Sequence, residues 1–188
     1  MYKIIDNLPI DYSFNTKSRE VLKLYNLWFD ENKKYRLNEL ESLIISTVGY
    51  ESWKADFSKD SLLILGRWLK KNVEIEKLSE KEYVEKRLNI PSHIDFEDWD
   101  LTIKTRSILI DVGIYFGEVF IKNQKGLIWK QYFSKKKNDA DHGHMIITLK
   151  KRNLNPIRIM LTVGFLFGER IGNEKELIEL YEVWKGYC

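Results

Sequence analysis

Apolar residues recur at helical spacing along most of this chain, and the places where that rhythm changes divide it into elements. Asn15 and Thr16 precede Val21, Leu22, Tyr25, Trp28 and Phe29, which recur three and four residues apart and predict a capped helix running to about Lys34. Asn38 with Glu41 resembles a capping box and predicts a second helix carrying Leu40, Leu43, Ile44 and Thr47, stopping at Gly49. A third starts at Ser58 or Asp60 and buries Leu62, Leu65, Trp68 and Leu69. Ser79 with Glu82 is a capping box for a short fourth helix that ends before Pro91, because a proline disfavours helical geometry in the residue ahead of it.

From Leu101 to Asn123 the pattern changes. Nearly every residue between Ile108 and Ile121 is apolar, which on a helix means burial on most sides. The polar exceptions, Lys104, Ser107, Asp111, Tyr115, Glu118 and Lys122, follow one another at three or four residues and so form a single narrow stripe. Gly113 and Gly117 remove side-chain bulk and predict close approach of another helix. After Gly126, Leu127 to Phe133 and Met145 to Leu149 read as two strands of an antiparallel hairpin joined by a polar loop. Asn155-Pro156 is a helix start, with Asn as cap and Pro at the first position. The helix that follows, Ile157 to Phe167, is again apolar almost all round and is closed by Gly172. Asn173 with Glu176 predicts another box, for a final amphipathic helix bearing Leu177, Ile178, Tyr181 and Trp184. The expected fold is α+β and predominantly helical: N-terminal helices, a long buried central helix, a hairpin and two closing helices. The expected organisation is one domain over residues 1–188, with a soft boundary near 92–100.

Charge is nearly balanced, with 31 Lys and Arg against 28 Asp and Glu, and this argues against a dedicated nucleic-acid binder. The single cysteine, Cys188, excludes an internal disulfide and points to a reducing, cytoplasmic setting. The most apolar segments fall short of the roughly 20 residues a membrane span needs, so no membrane partner is expected. No Gly-rich phosphate loop, G-x-S-x-G element or zinc-protease helix occurs, and no cofactor is implied.

Four groups of residues remain as candidates for function. Asp95, Glu97, Asp98 and Asp100 lie just ahead of the central helix, where acids favour the positive end of its dipole; alternatively they form an acidic patch for a basic partner. Asp111, Tyr115 and Glu118 share one helix face. The two carboxylates sit roughly 10 Å apart along the backbone, either paired with Lys104 and Lys122 or lining a small-molecule or hydrolytic cleft. Lys135, Lys136 and Lys137 with Lys150, Lys151 and Arg152 flank the hairpin and, with its aromatic residues, suggest an alternative nucleic-acid surface. His142 and His144, beside Asp139 and Asp141, are the sole ligand-like cluster, at a spacing that matches no defined metal site.

Gly117-Glu118-Val119, Trp129 and Asn155-Pro156, all within Asp111 to Phe167, form a pattern that resembles a loose group of small bacterial proteins of uncharacterised or immunity type. In that group a helix ending in Gly-Glu-Val leads to a strand with a Trp, and a later Asn-Pro opens the next helix. The resemblance implies a protein that binds and neutralises a cognate toxin, and implies no catalysis. A protein partner met at the acidic segment or at the Asp111 and Glu118 stripe is therefore the leading expectation.

Overall fold

The computed structural model describes every residue except Tyr12, Ile94 and Lys137. The fold is α+β with helical predominance. A 3-10 turn at Phe14–Thr16 leads into α1 (Arg19–Ile45), α2 (Lys59–Asn72), β1 (Ile75–Lys77), α3 (Glu80–Leu88), β2 (Trp99–Leu101) and α4 (Ile103–Asn123). The chain then forms β3 (Trp129–Gln131), β4 (Met145–Thr148), β5 (Asn153–Leu154), α5 (Pro156–Gly168) and α6 (Glu176–Lys185). None of the helices of the described residues is long and apolar enough to cross a membrane.

The first two expected helices are one. Ser18 caps α1 by accepting a hydrogen bond from the Val21 amide, and the helix then runs unbroken for 27 residues. Nothing between Lys34 and Leu37 breaks a helix, since the stretch contains neither Gly nor Pro. The Glu41 carboxylate, expected to cap a helix start, accepts instead from the Ala55 amide in the following loop.

Other local signals act where they were read. Ser58 caps α2, Ser79 and Glu82 form a complete capping box on α3, and Asn155 caps α5 with Pro156 at its first position. The expected box at Asn173 does not form. The helix α6 begins at Glu176 without a side-chain cap, and Asn173 turns the preceding loop by accepting from the Lys175 amide.

The helix α4 is the axis of the molecule, and every residue from Ser107 to Phe120 is buried. It lies along α5 and also touches α1 and α2, while α6 packs on α2. Close approach to α5 depends on two glycines facing each other's helix. Gly113 meets the backbone of Ile157, and Gly164 meets the side chain of Leu109. Gly117 accommodates the indole of Trp129, from a strand rather than from a helix.

Two small antiparallel sheets flank these helices. β3 pairs with β4, matching Trp129 to Ile147, and β4 pairs with β5, a strand the pattern did not predict. β1 and β2, also unpredicted, pair Ile75 with Leu101 and Lys77 with Trp99, so the acidic segment ends in a strand tied back to the residues after α2. The short helix α3 between them contributes no buried residue.

A methyl group at Gly113 would stand 2.6 Å from the Ile157 Cα, and backbone cannot rotate out of the way. Gly113→Ala should therefore cost about 1–3 kcal/mol of stability, although alanine is the better helix former. Urea denaturation measures this, and an unchanged or raised midpoint would contradict the packing described.

Candidate functional site

The polar stripe of α4 is real, but its middle, from Ser107 to Glu118, faces inward while Lys104 and Lys122 at its ends are exposed. Asp111 is fully buried and Arg36 of α1 grips it with two hydrogen bonds, Nε to Oδ1 at 2.8 Å and Nη2 to Oδ2 at 2.6 Å. The Tyr2 hydroxyl donates to Oδ2 at 2.5 Å and accepts from Arg36, whose Nη1 also donates to the carbonyl of Lys3. Burial pushes the Asp111 carboxyl up to about 6, against the pull of Arg36 and Tyr2. Despite the cost of its own burial, the Arg36 guanidinium is held above its ordinary value by the hydrogen bond and charge of Asp111.

The rest of the stripe is bound in the same way. Ser107 accepts from the Ile5 amide. Tyr115 accepts from the Phe57 amide at 3.0 Å and shares a hydrogen bond with Ser61, fixing the loop before α2 where Phe57 has a positive φ. Burial raises the Tyr115 hydroxyl to about 12. Glu118 accepts from Lys33 and from the Trp129 indole, each at 2.8 Å.

The expected lysine partners are elsewhere: Lys104 pairs with Glu74, and Lys122 lies beside the Phe57 ring. Lys33 and Arg36 were not predicted as partners. Their signal was present as two cations three residues apart on α1, but only a continuous α1 delivers both to α4. With Asp111 and Tyr115 fully buried and Glu118 nearly so, this face offers no open surface to a partner or a substrate.

The histidines and the basic runs also have structural roles or separate positions. His144 stacks on Phe14 at 4.2 Å, and burial lowers its pKa to about 4. The His142 Nδ1 accepts from the Ser134 amide. Asp141 holds Asn155 and Arg158. Among the described residues no three His, Cys, Asp or Glu side chains converge on a point that could hold a metal ion.

Lys135 and Lys136 are exposed beyond the end of β3, whereas Lys150, Lys151 and Arg152 follow the opposite end of β4. Lys137 lies outside the described residues. The two runs are thus held apart by the sheet. The Trp129 indole between them is committed to Glu118, and Arg19 covers the Phe133 ring at 4.3 Å.

Concavity and unmatched charge coincide at the acidic segment. Lys86 of α3 and Arg106 of α4 both clamp Asp100, and despite partial burial they hold its carboxyl below the usual range. Tyr83 stacks on Phe96 at 4.8 Å, which joins α3 to the segment, and Asp98 pairs with Lys77. Between α3, the segment and the last turn of α5 lies a cleft of about 440 Å³, with Asp95, Phe96, Glu97, Trp99, Phe165 and Glu169 among its lining residues. A neighbouring cleft of about 380 Å³ shares Glu97, Trp99 and Glu169 and adds Arg170 and Ile171.

Trp99 forms the wall common to both clefts. It is positioned by its pairing in β2 and by resting on Gly168, where a Cβ would come within 2.8 Å of the ring. Asp95, Glu97 and Glu169 are exposed, and among the described residues none of them is in an ion pair. Val84, Leu88 and Ile171 add exposed apolar surface on the flanking elements. Sequence reasoning named the acids at 95–100 but missed Phe165 and Glu169. On a helix apolar almost all round, nothing local says which aromatic faces outward.

No family model, curated protein or solved structure matches the chain.

Two measurements check the structural roles assigned above. Arg36→Met and Asp111→Asn should each lose about 3–5 kcal/mol, because each strands a buried polar partner. The double variant should lose less than the sum, and single losses under about 1 kcal/mol would show that the pair is not desolvated as described. The second concerns acid. The unfolded chain protonates His144 below about pH 6.5, whereas the folded protein keeps it neutral down to about pH 4. Its contribution is therefore complete above pH 6.5 and is lost as pH falls through that window, by up to about 3 kcal/mol. Unfolding midpoints of His144→Gln between pH 7 and 4 should decline less steeply than those of the parent, and parallel curves would refute the assignment.

Proposed function

We propose that this chain is a non-catalytic protein-binding domain, an immunity-like protein that works in the cytoplasm by capturing a basic surface of a cognate toxin. One observation carries the reading: a cleft with an aromatic wall coincides with three exposed carboxylates that have no cationic partner among the described residues. Such a surface supplies both parts of a protein interface, a buried apolar centre and a charged rim that selects the partner's sign. The cleft alone is smaller than the roughly 800 Å² that a stable complex buries on each partner. Exposed Ile171, which lines the neighbouring cleft, extends it outward with apolar surface.

Catalysis draws no support from the same residues. The paired carboxylates of α4 that suggested acid-base work are buried and bonded to Arg36, Lys33, Tyr2 and Trp129. The toxin as partner rests on the Gly-Glu-Val, Trp and Asn-Pro pattern, and the acidic face adds that the toxin's contacting surface is basic.

The test is to co-express the chain with the products of the genes flanking its own and to measure complexes by gel filtration and calorimetry. One product should bind one to one and stop growth when produced alone, and growth should return when this chain is present. Reversing the charges with Glu97→Lys and Glu169→Lys should weaken the complex about 100-fold, since like charges facing each other cost several kcal/mol. Absence of binding by any neighbouring product, or binding that the reversal leaves unchanged, would defeat the proposal.

A further inference from the structure

We propose that the cleft selects an arginine side chain of the partner, with its guanidinium lying on the Trp99 indole and its N–H groups donating to Glu97 and Glu169. This rests on the protein-binding reading and adds the chemistry of the anchor. Trp99 is the wall shared by the two clefts, and Glu97 and Glu169 line both of them from different elements, the acidic segment and the end of α5. A planar cation at that junction meets a ring face and two carboxylates together. The seat is rigid, because β2 pairing holds the Trp99 backbone and Gly168 supports its ring.

Charge accounting points to the same place. Asp100, on the α3 side, has two cations, Lys86 and Arg106. Around Trp99, Asp95, Glu97 and Glu169 line the clefts against Arg170, the one lining cation among the described residues not committed to Asp100. Among the described residues, the acids of this cleft without an ion-pair partner are thus those around Trp99.

Arginine fits better than lysine for reasons of shape and hydration. Its guanidinium is planar and weakly hydrated, stacks on aromatic faces, and presents a fork of donors that matches carboxylates, whereas an ammonium is a compact and strongly hydrated point charge. Arginines of the chain itself already lie on rings of this cleft. Arg87 lies over the Phe96 ring at 6.0 Å and Arg106 over the Phe165 ring at 5.7 Å.

The experiment uses three capped tripeptides, Gly-Arg-Gly, Gly-Lys-Gly and Gly-citrulline-Gly, titrated into the full chain labelled with nitrogen-15. The Trp99 indole signal is identified by its loss in Trp99→Phe. The arginine peptide should shift that signal, the lysine peptide should bind several-fold more weakly, and the neutral citrulline peptide about tenfold more weakly or worse. Glu97→Gln with Glu169→Gln, at exposed positions that leave the fold intact, should reduce arginine-peptide binding about tenfold without changing the unfolding midpoint. Equal binding of the three peptides, no movement of the Trp99 signal, or indifference to the double variant would each overturn the proposal.

The two readings fail separately. If the partner complex is lost on charge reversal while the peptides are not distinguished, the arginine anchor falls and the protein-binding surface stands. If the peptides are distinguished and charge reversal leaves the partner complex unchanged, the arginine seat stands and the partner binds elsewhere.

Discussion

The fold depends on burying α4 from all sides while it carries two carboxylates. Removing a charge from water costs several kcal/mol that only a well-placed partner offsets, so Asp111 at full burial demands a cation inside the protein. Arg36 meets that demand with bidentate geometry and Tyr2 completes it. The consequences spread outward. The helix α1 must continue through position 36, it must lie against α4 in one register, and the N-terminal segment must cross both to bring Tyr2 and the Lys3 carbonyl into place. Glu118 repeats the constraint two turns later, using Lys33 and the Trp129 indole to fix β3 against the same helix. An apolar pair of similar volume could pack as tightly, whereas removing only one partner leaves a buried charge uncompensated.

This explains which features were legible in the sequence. Signals that act over three or four residues survive into the structure because their partners are local, as at Ser79 with Glu82 and at Asn155-Pro156. All-round apolarity likewise identified α4 as the buried axis. The stripe was legible as one face of that helix, but periodicity states which residues are neighbours and not what lies opposite them. Lys104 and Lys122 were the cations on the same stripe, whereas the true partners are 75 and 85 positions away on α1. Splitting α1 into two helices hid this, since the assumed break fell on the segment that carries Arg36. The short strands β1, β2 and β5 were missed because two or three residues hold too little pattern, and their pairing comes from chain that is remote in sequence.

The acidic segment shows the complementary case. Its charges were plain, but the aromatic wall that makes them a cleft comes partly from the end of α5, some seventy residues on. Chain composition could not separate the acids of α4 from those near Trp99. The former are each answered by a cation within hydrogen-bonding distance. Of the latter, Asp98 and Asp100 are answered, and among the described residues Asp95, Glu97 and Glu169 are not. The net charge of +3 sums every charge in the chain and so hides the difference between these two populations.

Placing the unmatched acids on the periphery has an energetic logic. The helix α3 buries no residue and is joined to the acidic segment by the Tyr83 to Phe96 stack and to β2 by the Lys86 clamp on Asp100. Elements with few buried apolar contacts open at lower free energy than the core and adjust more readily to a partner. Substitution at Asp95, Glu97 or Glu169 changes the face presented to a partner without disturbing the packing around α4, because these side chains are exposed. Specificity is a difference between affinities, and it can be tuned by adding or removing a single facing charge. A domain built this way holds its carboxylates of fixed structural purpose inside, matched by dedicated cations, and leaves those that discriminate between partners where they can vary at little cost to the fold.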